Sequence, residues 1–213
     1  MRFLVWIGCI ALTYNALGQE SMNTEHGHSG SVVFGGFPHH MEDYQADVQA
    51  IMEDCLARYG EEEWRLAVVT SELHGHLGIY AIIGAKMGLF AKEYLGAGHD
   101  QLSIISRAGS TPPLSCLNDG LQASTGATVG HGSFLSDPEV SDQAAAIFHQ
   151  KHKRILLSLK DEVRQKVDRD IRAALENNHG LTPGYWEEIR RLALGYWLEF
   201  DRNKIFEVQE ESL

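Results

Sequence analysis

Residues 65–95 read RLAVVTSELHGHLGIYAIIGAKMGLFAKEYL, and the architecture is read outward from them. Arg65–Thr70 is a short aliphatic, β-branched run, which predicts a strand. From about 75 to 95 nearly every residue is apolar, which predicts a long helix buried on most of its surface. Gly78, Gly84 and Gly88 lie inside it. Glycine costs a helix about 1 kcal/mol relative to alanine, so three of them imply close packing against a neighbouring element. Between strand and helix stands Ser71–Gly78, SELHGHLG. Such a junction is where functional side chains are commonly presented, and Gly75 permits the turn that brings two imidazoles to one point. The helix is too apolar to start in water, so His74 and His76 need hydrogen bonds or a metal to satisfy them. Spacing alone leaves both readings open.

Further along, Thr111–Gly132 reads TPPLSCLNDGLQASTGATVGHG. Ser115 suits an N-cap, and Cys116 then falls in the first turn of a helix over 115–125, ended by Gly126. The helix dipole there favours a thiolate, hence a metal ligand or nucleophile. A lone cysteine in a turn is otherwise an inert thiol. A helix over about 40–58 aligns Tyr44, Val48, Ile51, Met52, Cys55, Leu56 and Tyr59 on one face, making Cys55 a core residue. Strands are expected at 101–107, 127–134 and 154–159, and a solvated helix at 160–178. A last helix opens at Thr182-Pro183, with Trp186, Ile189, Ala193, Tyr196 and Phe200 on its packing face. The acidic runs 61–63 and 207–211 read as solvated surface. The class is α+β, a mixed sheet packed with helices in one domain with a helical C-terminal extension over 161–213.

The chain has 213 residues, 44% hydrophobic and 22% charged, the mix of an ordinary globular protein. A formal net charge of −11 argues against a phosphate-neutralising nucleic-acid binder. Eleven histidines against three cysteines point toward metal chemistry rather than a disulfide scaffold. Residues 1–18 have the outline of a signal peptide: Arg2, an apolar run Phe3–Leu12, and Ala16-Leu17-Gly18 before Gln19. Gly8-Cys9 carries a fainter lipoprotein signature. The expected location is periplasmic or secreted, with no membrane span after cleavage, since the run is too short for one. Cleavage would remove Cys9, leaving Cys55 and Cys116 either as one disulfide or in separate roles. Residues 19–38 form a Gly/Ser/His-rich arm. Its His26 and His28, with His39 and His40 following, read either as a metal- or haem-capturing arm or as a solvated tail. His99, His149, His152 and His179 are given no role.

His-Gly-His-Leu-Gly (74–78), the Gly-x-Lys-Met-Gly helix (84–88) and Pro-Pro-x-Ser-Cys-x-x-Asp-Gly-Leu-Gln-x-Ser-Thr-Gly-Ala-Thr-x-Gly (112–130) together resemble the FmdE family associated with formylmethanofuran dehydrogenase. The resemblance is strongest over 70–135 and extends in layout over about 40–160. It implies an FmdE-like α+β domain over 39–160 with a metal held by His74, His76 and Cys116, and with Asp119, Gln122 and Thr128 around the pocket. Members often carry Cys at the positions of Gly78 and Ala127, Lys in place of His131, and a C-terminal zinc ribbon that is absent here. His131 thereby becomes a candidate fourth ligand or general base; otherwise it is an exposed turn residue.

Two histidines and a thiolate suit zinc, with nickel, copper or iron as other candidates. The leading expectation is an exported metal-binding protein that handles a metal or metal cofactor. The alternative is a metal-dependent enzyme whose open coordination position takes water or a small-molecule substrate. A third reading is a thiol or binding module without metal. The aromatic last helix raises the expectation of a homodimer.

Overall fold

The structure, a computed structural model, describes residues 36–211. The expected signal peptide, Cys9 and the His26/His28 pair lie outside the described residues. The elements run α1 (Ala46–His74), α2 (Ile79–Leu95), β1 (Ser103–Ser106), α3 (Leu117–Thr125), β2 (Phe134–Ser136), β3 (Ala145–Gln150), β4 (Lys153–Leu159), α4 (Asp161–Asn177), α5 (Pro183–Glu199) and β5 (Phe206–Glu211). The fold is α+β with a mixed five-stranded sheet, ordered β2-β1-β3-β4-β5. The β1–β2 pair is parallel and the remaining pairs are antiparallel. Phe134, Ile104, Phe148 and Ile155 stand opposite one another across four strands, all buried, and belong to the one core that the helices complete. None of the helices among the described residues is long and apolar enough to cross a membrane.

The strand expected at 65–70 is helical. α1 continues from Ala46 to His74, broken only at Gly60, whose φ of 82° lies in the left-handed region. Glu63, Trp64, Ala67 and Thr70 are buried at helical spacing, whereas Val69 is exposed. Burying that stripe against α2 and α5 outweighs the β-preference of Val68 and Val69. The following turn occupies Gly75–Gly78, so α2 begins at Ile79 rather than near 75. The strand expected at 127–134 shrinks to β2 because the loop bonds to itself, Gly132 N–H to Val129 O and Ser133 N–H to Thr128 O. Two strands went unforeseen. β3 is covered on both faces, and the acidic run 207–211 is the edge strand β5, whose charges leave it exposed and discourage pairing with another chain. The C-terminal extension is therefore integral: α5 packs on the core and β5 returns to the sheet.

α2 is buried from Ile79 to Leu89 and lies against α3 through its glycines. A Cβ on Gly84 would run into the Leu117 carbonyl, and one on Gly120 would stand 2.7 Å from Gly84 C. Gly88, one turn on, faces the side chains of Ser124 and Thr125, so α2 and α3 run in the same direction, with their backbones closest at Gly84 and Gly120. One charged pair is buried in this core, Lys86 with Glu63. Arg202 joins it, reaching Glu63 and Glu93 at 2.8 Å each, and ties the residues after α5 to α1 and α2.

Candidate metal centre

The shared direction of α2 and α3 brings their N-terminal ends together, and the two sequence motifs meet there. α1 ends at His74 because Gly75, at φ 80°, caps it in the left-handed conformation that glycine adopts without steric cost. The His74 ring is almost fully covered, and its Nδ1 lies 2.6 Å from Asp119 Oδ2 on α3. Its other nitrogen, Nε2, is buried without a hydrogen-bond partner. Nε2 faces Gly78: a Cβ built there would lie 2.8 Å away. His76, two residues on, stacks at a tilt on His74 with ring centroids 4.3 Å apart, and its other side meets the edge of Trp186 at 5.2 Å.

Cys116 occupies the N-cap of α3, three residues before Asp119, and is half-buried. Burial first, and the Asp119 carboxylate second, push its thiol above the ordinary value. The thiolate expected at this helix start is therefore disfavoured. His76 is exposed at one edge, yet partial burial, followed by the neighbouring His74, holds it below the usual imidazole value. That favours its neutral form, the form in which histidine ligates metals. Cys55 is 1% exposed, a core residue as expected, with its thiol pushed up to about 12 by burial. Both Cys55 and Cys116 are free, so no disulfide joins them.

Two clefts of about 370 and 350 Å³ share His76, Leu77 and Arg190 in their walls. Trp186 lines the first; Ser71, Glu72 and Tyr44 contribute to the second. Arg190 is fixed by paired contacts to Asp47 at 2.6 and 2.7 Å. Sequence reasoning missed Arg190 and took Trp186 for a packing residue. Their i, i+4 spacing in α5 could have shown that the two share one face of that helix.

The remaining expected residues lie elsewhere. Gln122 and Thr128 shape the loop after α3: Gln122 accepts from Val129 N–H, and Thr128 Oγ1 from His131 N–H. His131 does not join His74. It sits beyond the C-terminal end of α3, its Nδ1 3.0 Å from Gly126 O. The ten residues from Cys116 to Gly126 span about 15 Å of helix axis, which separates His131 from the His74 end. Among the described residues, no three His, Cys, Asp or Glu side chains surround one point closely enough, as placed, to hold a metal ion. A histidine fixed by a carboxylate at one nitrogen, with the other nitrogen buried and unpartnered, is the arrangement that metal-bound histidines show.

Residues 73–203, more than half of the chain, match the family described as FmdE, molybdenum formylmethanofuran dehydrogenase operon. The chain belongs to the FmdE family. The FmdE match begins one residue before His74 and runs through α5, so it takes in both motifs and most of the C-terminal extension. A protein of Archaeoglobus fulgidus named as a probable S-adenosyl-L-methionine-binding protein is 32% identical over 73 residues, 33% of this chain and 20% of that protein. The chain thus spans a fifth of that relative's length. A crystal structure of an FmdE-like protein of tungsten formylmethanofuran dehydrogenase type, from Syntrophus aciditrophicus, gives a TM-score of 0.41 at 18% identity. That comparison covers 83% of this chain and 77% of the other.

Proposed function

We propose that this FmdE-family protein is exported and holds a transition metal ion, zinc by the character of its donors, through His74, His76 and Cys116. The observation that carries the reading is the buried, unpartnered His74 Nε2, aimed by the Asp119 bond at Nδ1. A bound cation would satisfy that nitrogen and stabilise a Cys116 thiolate beside Asp119. Asp119 would set the tautomer of His74, and His76, stacked beside it, would ligate in the neutral form that its burial favours. Zinc bound there supplies Lewis acidity, or simply a structural or cargo ion when four protein donors close the site. The function would be the handling of a metal or a metal-containing cofactor outside the cytoplasm.

A second reading, metal-dependent catalysis with a small molecule at an open position, is favoured by the two clefts that meet at His76. Glu72 and Arg190 would then orient the molecule, and Trp186 would cover its apolar side.

Metal analysis of untagged protein tests the first reading. The parent is expected to carry bound metal, and His74→Ala/Cys116→Ser to lose more than half of it. Loss of less than half would overturn the assignment. X-ray absorption on the zinc-loaded protein separates the two roles, since four protein donors would exclude the open position. N-terminal sequencing of the exported product tests cleavage after Gly18.

A further inference from the structure

Of the two clefts at His76, the one of about 350 Å³ has a wall that the metal centre does not use. Its most buried side chain is Trp197, 1% exposed, which forms the floor. The indole Nε1 of Trp197 has no hydrogen-bond partner. Its stacking neighbour is satisfied: Trp64 Nε1 donates to Tyr44 Oη at 3.2 Å, and Tyr44 Oη donates in turn to Pro38 O. An indole N–H can only donate, so the group that Trp197 lacks is an acceptor. Buried polar groups are nearly always paired, and one left open in the floor of a cleft points to an occupant. We propose that this cleft binds an aliphatic ammonium compound carrying an ester, amide or hydroxyl oxygen several atoms from its charge. Such a molecule is the small-molecule occupant of the second reading above, on which this assignment rests.

The charge on the wall selects a cation. Arg190 is the one basic side chain there besides His76, and Asp47 holds it in an ion pair. The carboxylates of Asp43 and Glu72 then leave the cleft negative. Ser71, Glu72 and Gly75 belong to the last turn and the cap of α1, whose carbonyl end favours a positive charge. Tyr44 and Trp197 add aromatic surface, which attracts ammonium groups.

The order of these groups sets the form of the molecule. Trp64, Val68 and Glu72 follow one another at one-turn intervals on α1. Trp64 stacks on Trp197 with ring centroids 4.6 Å apart, which marks the floor end of the series. Glu72 is two turns further on, roughly 12 Å along the helix axis, with Val68 between. The wall thus passes from a donor through an aliphatic stretch to a carboxylate. A matching molecule passes from an acceptor oxygen through carbon to an ammonium group. The volume lies at the small end of the range for small-molecule sites.

The test titrates full-length protein, as purified and after metal removal, with three probes of similar length. Acetylcholine carries both the charge and a carbonyl oxygen. The uncharged ester 3,3-dimethylbutyl acetate has carbon in place of the nitrogen, and pentyltrimethylammonium keeps the charge without any oxygen. A quaternary nitrogen has no lone pair, so its binding is not ligation of a metal. Calorimetry is expected to show acetylcholine binding about tenfold tighter than the uncharged ester. Glu72→Gln should cut that preference about threefold while the uncharged ester binds as before. In nitrogen-15-labelled protein, saturating acetylcholine should shift the Trp197 indole N–H further downfield than pentyltrimethylammonium does. Equal affinity for the charged and uncharged esters, no saturable binding of acetylcholine, or a Trp197 indole signal that acetylcholine leaves in place would overturn the proposal. Four protein donors on zinc would overturn the catalytic reading and leave acetylcholine binding intact. An open zinc position without acetylcholine binding would do the reverse.

Discussion

Replacing Gly84 by alanine puts one methyl group into the α2–α3 seam. On an open helix surface that exchange gains about 1 kcal/mol in propensity. Here the new Cβ runs into Leu117 O, with Leu117 C at 3.0 Å and Gly120 Cα at 3.2 Å. All three neighbours are backbone atoms, so no side chain can swing aside. The helices must part by roughly 1 Å to reach ordinary carbon contact near 3.5–4 Å. Overpacking a dense core costs about 1–3 kcal/mol, and a backbone obstruction places Gly84→Ala at the upper end. After the propensity gain, a net loss of about 2 kcal/mol is expected. Because α3 carries Asp119, the same displacement stretches its 2.6 Å contact with His74. Urea unfolding followed by circular dichroism measures the loss.

Two controls sharpen the test. A Cβ on Gly195, also within a helix, meets nothing within 4 Å. Gly195→Ala is therefore expected to stabilise by about 0.4–1 kcal/mol. At Gly88 the obstruction is the Ser124 side chain, with Ser124 Cβ at 3.1 Å and Thr125 Cγ2 at 2.9 Å. Gly88→Ala/Ser124→Ala should then recover part of what Gly88→Ala loses, whereas trimming side chains around Gly84 should recover nothing. A Gly84→Ala protein as stable as the parent would refute the close approach of these backbones.

Glu63→Gln should destabilise by about 3–5 kcal/mol, because it leaves Lys86 buried without its counter-charge. Lys86→Met should cost less by the same urea assay, since Glu63 keeps Arg202. Asp119→Asn should weaken metal binding about 10–100-fold in calorimetry while leaving the unfolding midpoint of metal-free protein nearly unchanged. An unaltered affinity would deny Asp119 its orienting role. Hydrogen bonds from Arg190 hold the Asp47 carboxyl below its ordinary 3.8, so the contribution of this pair is complete above the unfolded-state value and fades as pH falls through the folded one. Both partners are over a third exposed, so Asp47→Asn should cost under about 1 kcal/mol at neutral pH. The gap to the parent in thermal melts should close under acid conditions.

The α2 helix, α3, α4 and α5 were legible because their signals are local: apolar runs of helical length, a Thr-Pro start at 182–183, and a glycine stop at 126. The segment 65–70 misled because Val68 and Val69 favour a strand locally, whereas the choice belonged to the buried stripe of α1. β5 was hidden for the opposite reason: its charges describe an exposed edge, and only the hydrogen bonds to β4 make it a strand. At the candidate centre, His74, His76, Cys116 and Asp119 were readable as two motifs. The His74–Asp119 contact, across 45 residues, was not.

The sequence by itself named candidate residues for chemistry and the family they belong to, because motif identity is a property of neighbouring residues. It also foretold that the glycines of α2 mark a tight seam, since nothing else offsets their cost in a helix. Only the tertiary structure decided which ends of that seam the side chains share. Backbone contact at Gly84 and Gly120 makes α2 and α3 run together, which gathers His74, His76, Cys116 and Asp119 at one end. The same packing carries His131 to the other end, beside Gly126 and Asp100, because the length of α3 lies between them.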